Sequence, residues 1–119
     1  MIADLIALLL CSRDRAHKFH WSTGSYAAHK ALETFYTDLL EQTDELVEVC
    51  QGRCGHVLTI PVLDCEEFLD PIAMLETHLK LLEGLRYEAV PREDTPIHNL
   101  IDGVAATYIR ALYKLRQLH

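Results

Sequence analysis

The sequence has few residues that interrupt helices and no segment that could cross a membrane. Only five glycines and four prolines occur among its 119 residues, and no apolar run reaches the roughly 18 residues of a membrane span. The first eleven residues are apolar, but Asp4 interrupts them and no basic segment precedes them, so we expect no signal peptide. Four cysteines without such a signal indicate a reducing compartment. We therefore expect a cytoplasmic protein without disulfides.

Positive charge is also scarce. Eleven lysines and arginines face eighteen aspartates and glutamates, which gives a formal net charge of -7. The basic residues are scattered, and neither end of the chain has a lysine-rich tail. Because nonspecific DNA binding requires cations that neutralise phosphates, we expect neither DNA nor a membrane as a partner.

What the chain does contain is helical periodicity. Half of the residues are hydrophobic, which suffices for one core and thus for a single domain spanning residues 1–119. Ser25 and the pairs Asp70-Pro71 and Thr95-Pro96 are typical helix starts. The apolar spacing predicts four helices: from about Ala3 to about Phe19 or His20, from Ser25 to about Cys50, from Asp70 to Pro91, and from Thr95 onward.

Residues 53–69 lack a helical period, although residues 64–68 could form one short helical turn. Two long helices, this bridging segment and two more long helices predict an all-α fold, a four-helix bundle with a long bridge between helices 2 and 3. The bridge is long enough to run the length of the bundle. Helices 2 and 3 therefore need not be antiparallel neighbours.

Five residues of metal-ligand type follow the helical period. His29 and Glu33 are four residues apart, as are Asp44 and Glu48, and His20 precedes them at the end of the first helix. Residues four apart lie on one helix face. Imidazole and carboxylate ligands together suit iron, manganese or zinc. The spacing predicts a metal site that includes all five.

One chain cannot close this site. Glu33 and Asp44 are eleven residues apart, or about 16 Å along a helix axis, while metal–carboxylate bonds are about 2 Å. Two copies of helix 2 packed antiparallel around a two-fold axis would bring His29 and Glu33 of one chain to Asp44 and Glu48 of the other. We therefore predict a homodimer across helix 2 with two identical sites, centred between Asp38 and Leu39.

The same residues give the chain a resemblance to the Dps proteins, or mini-ferritins. His20-Trp21, His29-x-x-x-Glu33 and Asp44-x-x-x-Glu48 look like the Dps ferroxidase motif. The resemblance implies a ferritin-like bundle with a short helix in the bridge. It also implies assembly as a dodecamer and a ferroxidase that oxidises iron(II) with peroxide or oxygen and stores or detoxifies iron. Residues 25–32 and 48–52 are more similar still to small ferritin-like proteins of phages, which would place the protein in a host cytoplasm.

Two other interpretations remain open. The chain could be a structural or virion-associated protein that keeps the bundle without turning over iron. Alternatively, Cys50, Cys54 and His56, with Cys65 downstream, could form a structural zinc site. His17, three residues before His20, could be a spare ligand for the iron site or a surface histidine.

Overall fold

The structure, a computed structural model, describes all 119 residues. It is all-helical and confirms the predicted four-helix bundle. The helices are α1 (Ile2–Ser22), α2 (Tyr26–Cys54), α3 (Pro71–Ala89) and α4 (Thr95–Gln117). None of them combines the length and the hydrophobicity that a membrane span requires.

The helix ends follow local chemistry. The Ser25 side chain accepts a hydrogen bond from the backbone N–H of Ala28, and Asp70 accepts one from Ala73, so both predicted caps are confirmed. α2 continues beyond Cys50 to Cys54 and ends at Gly55, whose φ of 78° is left-handed and favours glycine. At α4, the cap position is Asp94 rather than Thr95, and its side chain makes no capping bond.

The four helices form a ring in which α2 and α3 do not touch. α1 packs against α2 and α3, and α4 packs against the same two helices. One end of the bundle brings together the start of α1, the end of α2, the end of α3 and the start of α4. α2 and α3 therefore run in the same direction on diagonally opposite corners, and the bridge runs the length of the bundle, as its number of residues allowed.

The core is a single cluster of residues from all four helices. On α2, the buried stripe consists of Leu32, Phe35, Leu39 and Leu46, each no more than 1% exposed. Tyr36 and Val47 lie at the edge of this stripe, half-buried. Steps of three and four along α2 place these side chains on one face, which leaves the opposite face, with Asp44 and Glu48, exposed.

The bridge, residues 55–70, is extended, and the short helical turn predicted at 64–68 is absent. Side chains hold it to the bundle: Gln51 Oε1 accepts from the N–H of Leu58, and Arg15 donates to the carbonyl of Cys65. A disulfide joins Cys65 to Cys11 of α1, with the Cα atoms 5.9 Å apart. The expectation of no disulfides was therefore wrong, because it rested on the inferred compartment and not on the geometry of the fold.

Candidate functional site

Two of the predicted ligands, His20 and His29, lie next to each other where α1 ends and α2 begins. The turn at residues 23–25 is short, so the last turn of α1 lies directly beside the first turn of α2. His20 is 6% exposed on the inner side of this junction, and His29 is half-buried opposite it. The two imidazole rings stack with centroids 3.7 Å apart and planes inclined by 18°.

The two histidines are hydrogen-bonded reciprocally through the backbone. Nδ1 of His20 is 2.8 Å from the carbonyl oxygen of His29, and Nδ1 of His29 is 2.8 Å from the carbonyl oxygen of His20. A carbonyl can only accept, so each Nδ1 carries the proton and donates it. In the neutral form of each ring the lone pair then lies on Nε2, and this is how metal-binding histidines are usually oriented.

Aromatic rings surround the histidine pair. Tyr36 meets the His20 ring edge-on at 5.3 Å and stacks on His17 at 4.2 Å. His17 in turn lies 4.2 Å from Trp21, whose ring is largely exposed. His17 is thus packed between two aromatic rings and belongs to the wall of the site. The apolar spacing left Phe35 or Tyr36 as the core residue of this turn; Phe35 is the buried one, and Tyr36 lies at the edge of the core beside the histidines.

Glu33 lies one turn beyond His29 and is held by a neighbour. Lys30 Nζ donates to Glu33 Oε1 at 3.1 Å. This hydrogen bond and charge lower the pKa of Glu33, with smaller contributions from His20 and His29. The carboxylate is therefore ionised at neutral pH and close enough to the histidines to feel their charge. It would have to leave Lys30 to bind a metal.

Asp44 and Glu48 are exposed on the distant half of α2. Neither takes part in any of the ion pairs of the chain. No group of three or more histidine, cysteine, aspartate or glutamate side chains within the chain is arranged to hold a metal ion. The structure thus brings His20 and His29 together, leaves Glu33 one turn away in its pair with Lys30, and keeps Asp44 and Glu48 on the distant half of the helix. The five-residue site remains a prediction about two chains.

A second buried histidine lies in the core, where the sequence suggested only a helix-face residue. His78 of α3 is 5% exposed, and its Nδ1 lies 2.6 Å from Ser12 Oγ. Phe68 of the bridge covers the ring edge-on. Burial, and to a lesser extent the charge of Arg15, lowers the pKa of His78 to about 4. Since Ser12 is fully buried and His78 is 5% exposed, we assign this pair a structural role.

Comparison with known proteins corrects the Dps interpretation. A family model described as "Family of unknown function (DUF5856)" matches residues 20–115. The chain is also similar to an uncharacterised 14.6 kDa protein of Enterobacteria phage T4, from the mobD-ri intergenic region. The two are 26% identical over 113 residues, which cover 94% of this chain and 85% of the phage protein. No solved structure matches.

The resemblance to Dps, or to any ferritin-like family, was therefore wrong. The shared motif consists of five residues at helical spacings, and many helix pairs can carry such residues without common ancestry. The bridge agrees with the correction, because it lacks the short helix that the resemblance implied.

Proposed function

We propose that two copies of this chain, which belongs to DUF5856, a family of unknown function, bind iron(II) between them and oxidise it. The observation that carries the proposal is the reciprocal pair of hydrogen bonds between His20 and His29. These bonds occupy Nδ1 of both rings and leave both Nε2 atoms available to bind a metal. Such preorganisation lowers the cost of binding a metal.

One chain would supply His20, His29 and Glu33. The carboxylate of Glu33 exchanges Lys30 for the metal, and this exchange costs little because the ion pair is exposed. Two nitrogens and one oxygen leave coordination positions open for a second chain and for oxidant. This mixed set suits iron, and it also accepts manganese or zinc.

The second chain would supply Asp44 and Glu48. If two α2 helices pack antiparallel about an axis level with Asp38 and Leu39, Glu33 lies opposite Asp44 and His29 lies opposite Glu48. Leu39 is buried in the core of its own chain. The apolar contact at the two-fold axis would therefore be made by Leu40, which is 39% exposed on the neighbouring face of α2. Three carboxylates then converge at each site, and a cation must neutralise them.

The iron is the substrate of this reaction. Two iron(II) ions each give one electron to a peroxide molecule, which takes up two protons and leaves as two water molecules. The carboxylates of Glu33, Asp44 and Glu48 offset the added positive charge of iron(III). Trp21 and Tyr36 limit water at the histidines. A cytoplasmic location is part of this proposal. A disulfide such as Cys11–Cys65 is unusual in the cytoplasm. The redox state of these two cysteines in cells therefore tests the location directly.

Anaerobic iron(II) titration followed by peroxide tests the proposal. An asparagine amide can replace the Nδ1 donor of histidine while it removes Nε2. The double variant His20→Asn/His29→Asn should therefore keep the fold but bind and oxidise iron at least about tenfold less well. His119→Asn, an exposed histidine elsewhere, serves as the matched control. Unchanged iron oxidation in the double variant would refute the assignment.

A second candidate function is a structural, phage-encoded protein without iron turnover. The similarity to the phage T4 protein favours a phage origin, and the Lys30–Glu33 pair, which occupies one proposed ligand, favours the absence of iron turnover. In that case, the purified protein would bind no iron in the same titration, and the double variant would behave like the natural chain.

A further inference from the structure

A second group of metal-binding side chains lies at the other end of the bundle, and it is independent of the proposed iron site. A cavity of about 380 Å³ opens where α2 ends and where α1 and α4 begin. Most of its lining is apolar. Four of its lining residues carry a soft or borderline donor atom: Met1, Cys50, Cys54 and His56.

The end of α2 positions three of these donors. Cys50 and Cys54 are one helical turn apart and thus share a face of α2. Gly55 then reverses the chain with its left-handed φ of 78°, which a residue with a Cβ rarely adopts. The reversal returns His56 towards the helix, and its Nε2 lies 3.9 Å from Cys54 Sγ.

That separation fits an ion placed between the two atoms. Metal–thiolate and metal–imidazole bonds are about 2.3 Å and about 2.0 Å. These lengths place sulfur and nitrogen about 3.6 Å apart at a tetrahedral angle and about 4.3 Å apart in a linear arrangement. The observed 3.9 Å lies between these limits, so Cys54 and His56 need little movement to share a metal.

The buried thiol of Cys50 is the second indication of a ligand. Cys50 is only 4% exposed, lines the cavity and has a free thiol. None of the side-chain hydrogen bonds at this end of α2 involves its sulfur, whereas Cys54 donates to the carbonyl of His56. Burial raises the pKa of Cys50, with smaller contributions from Cys54 and Asp94.

The available donors favour a soft ion. The one carboxylate at the cavity, Asp94, is held by Arg53 in an ion pair of 3.1 Å. Zinc normally requires four ligands, but no three histidine, cysteine or acidic side chains are arranged around one point. Cys65, the fourth member of the zinc set considered from sequence, is in the disulfide with Cys11. Thiolate and thioether ligands select copper(I), which accepts two or three ligands.

The geometry points to a copper(I) site in which Cys54 and His56 hold the ion. Cys50, one helical turn earlier on the same face of α2, would supply a further sulfur once its side chain turns towards the ion. Each thiol that binds the ion releases its proton to solvent, and no electron is transferred. Met1 lines the same cavity, is 70% exposed and carries a thioether as a further soft donor.

Anaerobic titration with copper(I), supplied as its acetonitrile complex against a coloured chelator, tests this site. No thiol reductant is added, so the Cys11–Cys65 disulfide stays intact and contributes no sulfur. We expect one ion per chain. Cys54→Ser and His56→Asn should each weaken binding at least about tenfold, since each removes one of two ligands. His119→Asn should bind like the natural chain.

X-ray absorption of the copper-loaded protein distinguishes a built site from a reactive thiol. A coordination shell with both sulfur and nitrogen, in which the nitrogen is lost in His56→Asn, supports the assignment. A shell of sulfur alone, or equal affinity in His56→Asn and the natural chain, overturns it. Iron oxidation should be unchanged in both variants, so this site and the proposed iron site can fail separately.

Discussion

The hydroxyl of Tyr108 donates a 2.6 Å hydrogen bond to Ser12 Oγ, 96 residues away in sequence. Ser12 Oγ is also hydrogen-bonded to Nδ1 of His78, again at 2.6 Å. The chain of bonds links α4, α1 and α3 through the core, where Tyr108 and Ser12 are fully buried. Both hydroxyls have a partner, so the network lets three helices pack without an unsatisfied hydroxyl.

Acid should destabilise the fold through His78. In the folded protein its pKa is about 4, against 6.5 for the free side chain, so the unfolded chain binds a proton first as the pH falls. The contribution of His78 to the free energy of unfolding should therefore be constant above about pH 7.5. It should fall by about 3 kcal/mol in total as the pH drops through 6.5 towards 4. Denaturant unfolding at several pH values measures this.

His78→Asn is the matched control for that experiment. The asparagine oxygen can accept the Ser12 hydrogen bond in place of Nδ1 but does not titrate. The variant should lose the component of the pH dependence between 6.5 and 4 while keeping the acid loss due to carboxylates. Identical pH profiles for both proteins would show that His78 does not carry the effect.

Arg86 should be the most costly polar side chain to remove at the α3–α4 turn. It is 4% exposed and donates to Nδ1 and the carbonyl of His98 and to Asp102. Arg86→Met should lower the free energy of unfolding by about 2–3 kcal/mol, because it leaves buried acceptors unpaired. Asp102→Asn should cost less than about 1 kcal/mol, since its side chain is 63% exposed. Equal costs in thermal or denaturant unfolding would contradict this account.

Reduction of the Cys11–Cys65 disulfide should destabilise the protein. The bond closes a loop across 54 residues of sequence, and loop-closure entropy assigns it about 4 kcal/mol. Denaturant midpoints with and without a phosphine reductant measure the loss. Cys54→Ser should respond to reductant like the natural chain, while Cys11→Ser/Cys65→Ser should start at the lower stability and not respond at all.

Dimerisation should depend on a divalent cation. Glu33, Asp44 and Glu48 would repel one another in the antiparallel α2 pair unless a metal lies between them. Light scattering should show a monomer in chelator and a dimer with manganese(II), which is not oxidised during the measurement. Asp44→Asn/Glu48→Gln should lose the response, whereas Glu45→Gln, one residue away on an exposed position of the same helix, should retain it. A monomer under all conditions would rule out the shared site.

The helices were predictable from sequence because their signals are local. Apolar spacing and the caps Ser25 and Asp70 act within one or two helical turns. The four-helix bundle, and a bridge long enough to span the length of the bundle, could therefore be predicted. The reciprocal bonds of His20 and His29, by contrast, need two helix ends at a set distance. The disulfide and the Ser12–His78 contact join residues 54 and 66 positions apart. No local pattern encodes such pairs. The five-residue motif is itself only a local pattern of helical spacing, so it could not establish the family of the chain.

The bridge could be cut without releasing either half of the molecule, because the disulfide would still join the two pieces. Residues 56–64 are extended and largely exposed, with Val62 fully so, and a protease could cut there. The two pieces would be helical hairpins, α1–α2 and α3–α4, still tied through Cys11 and Cys65. In denaturing gel electrophoresis, a nicked chain would migrate at its full mass until the disulfide was reduced. The two halves could also be produced from separate genes and would associate through the hydrophobic core.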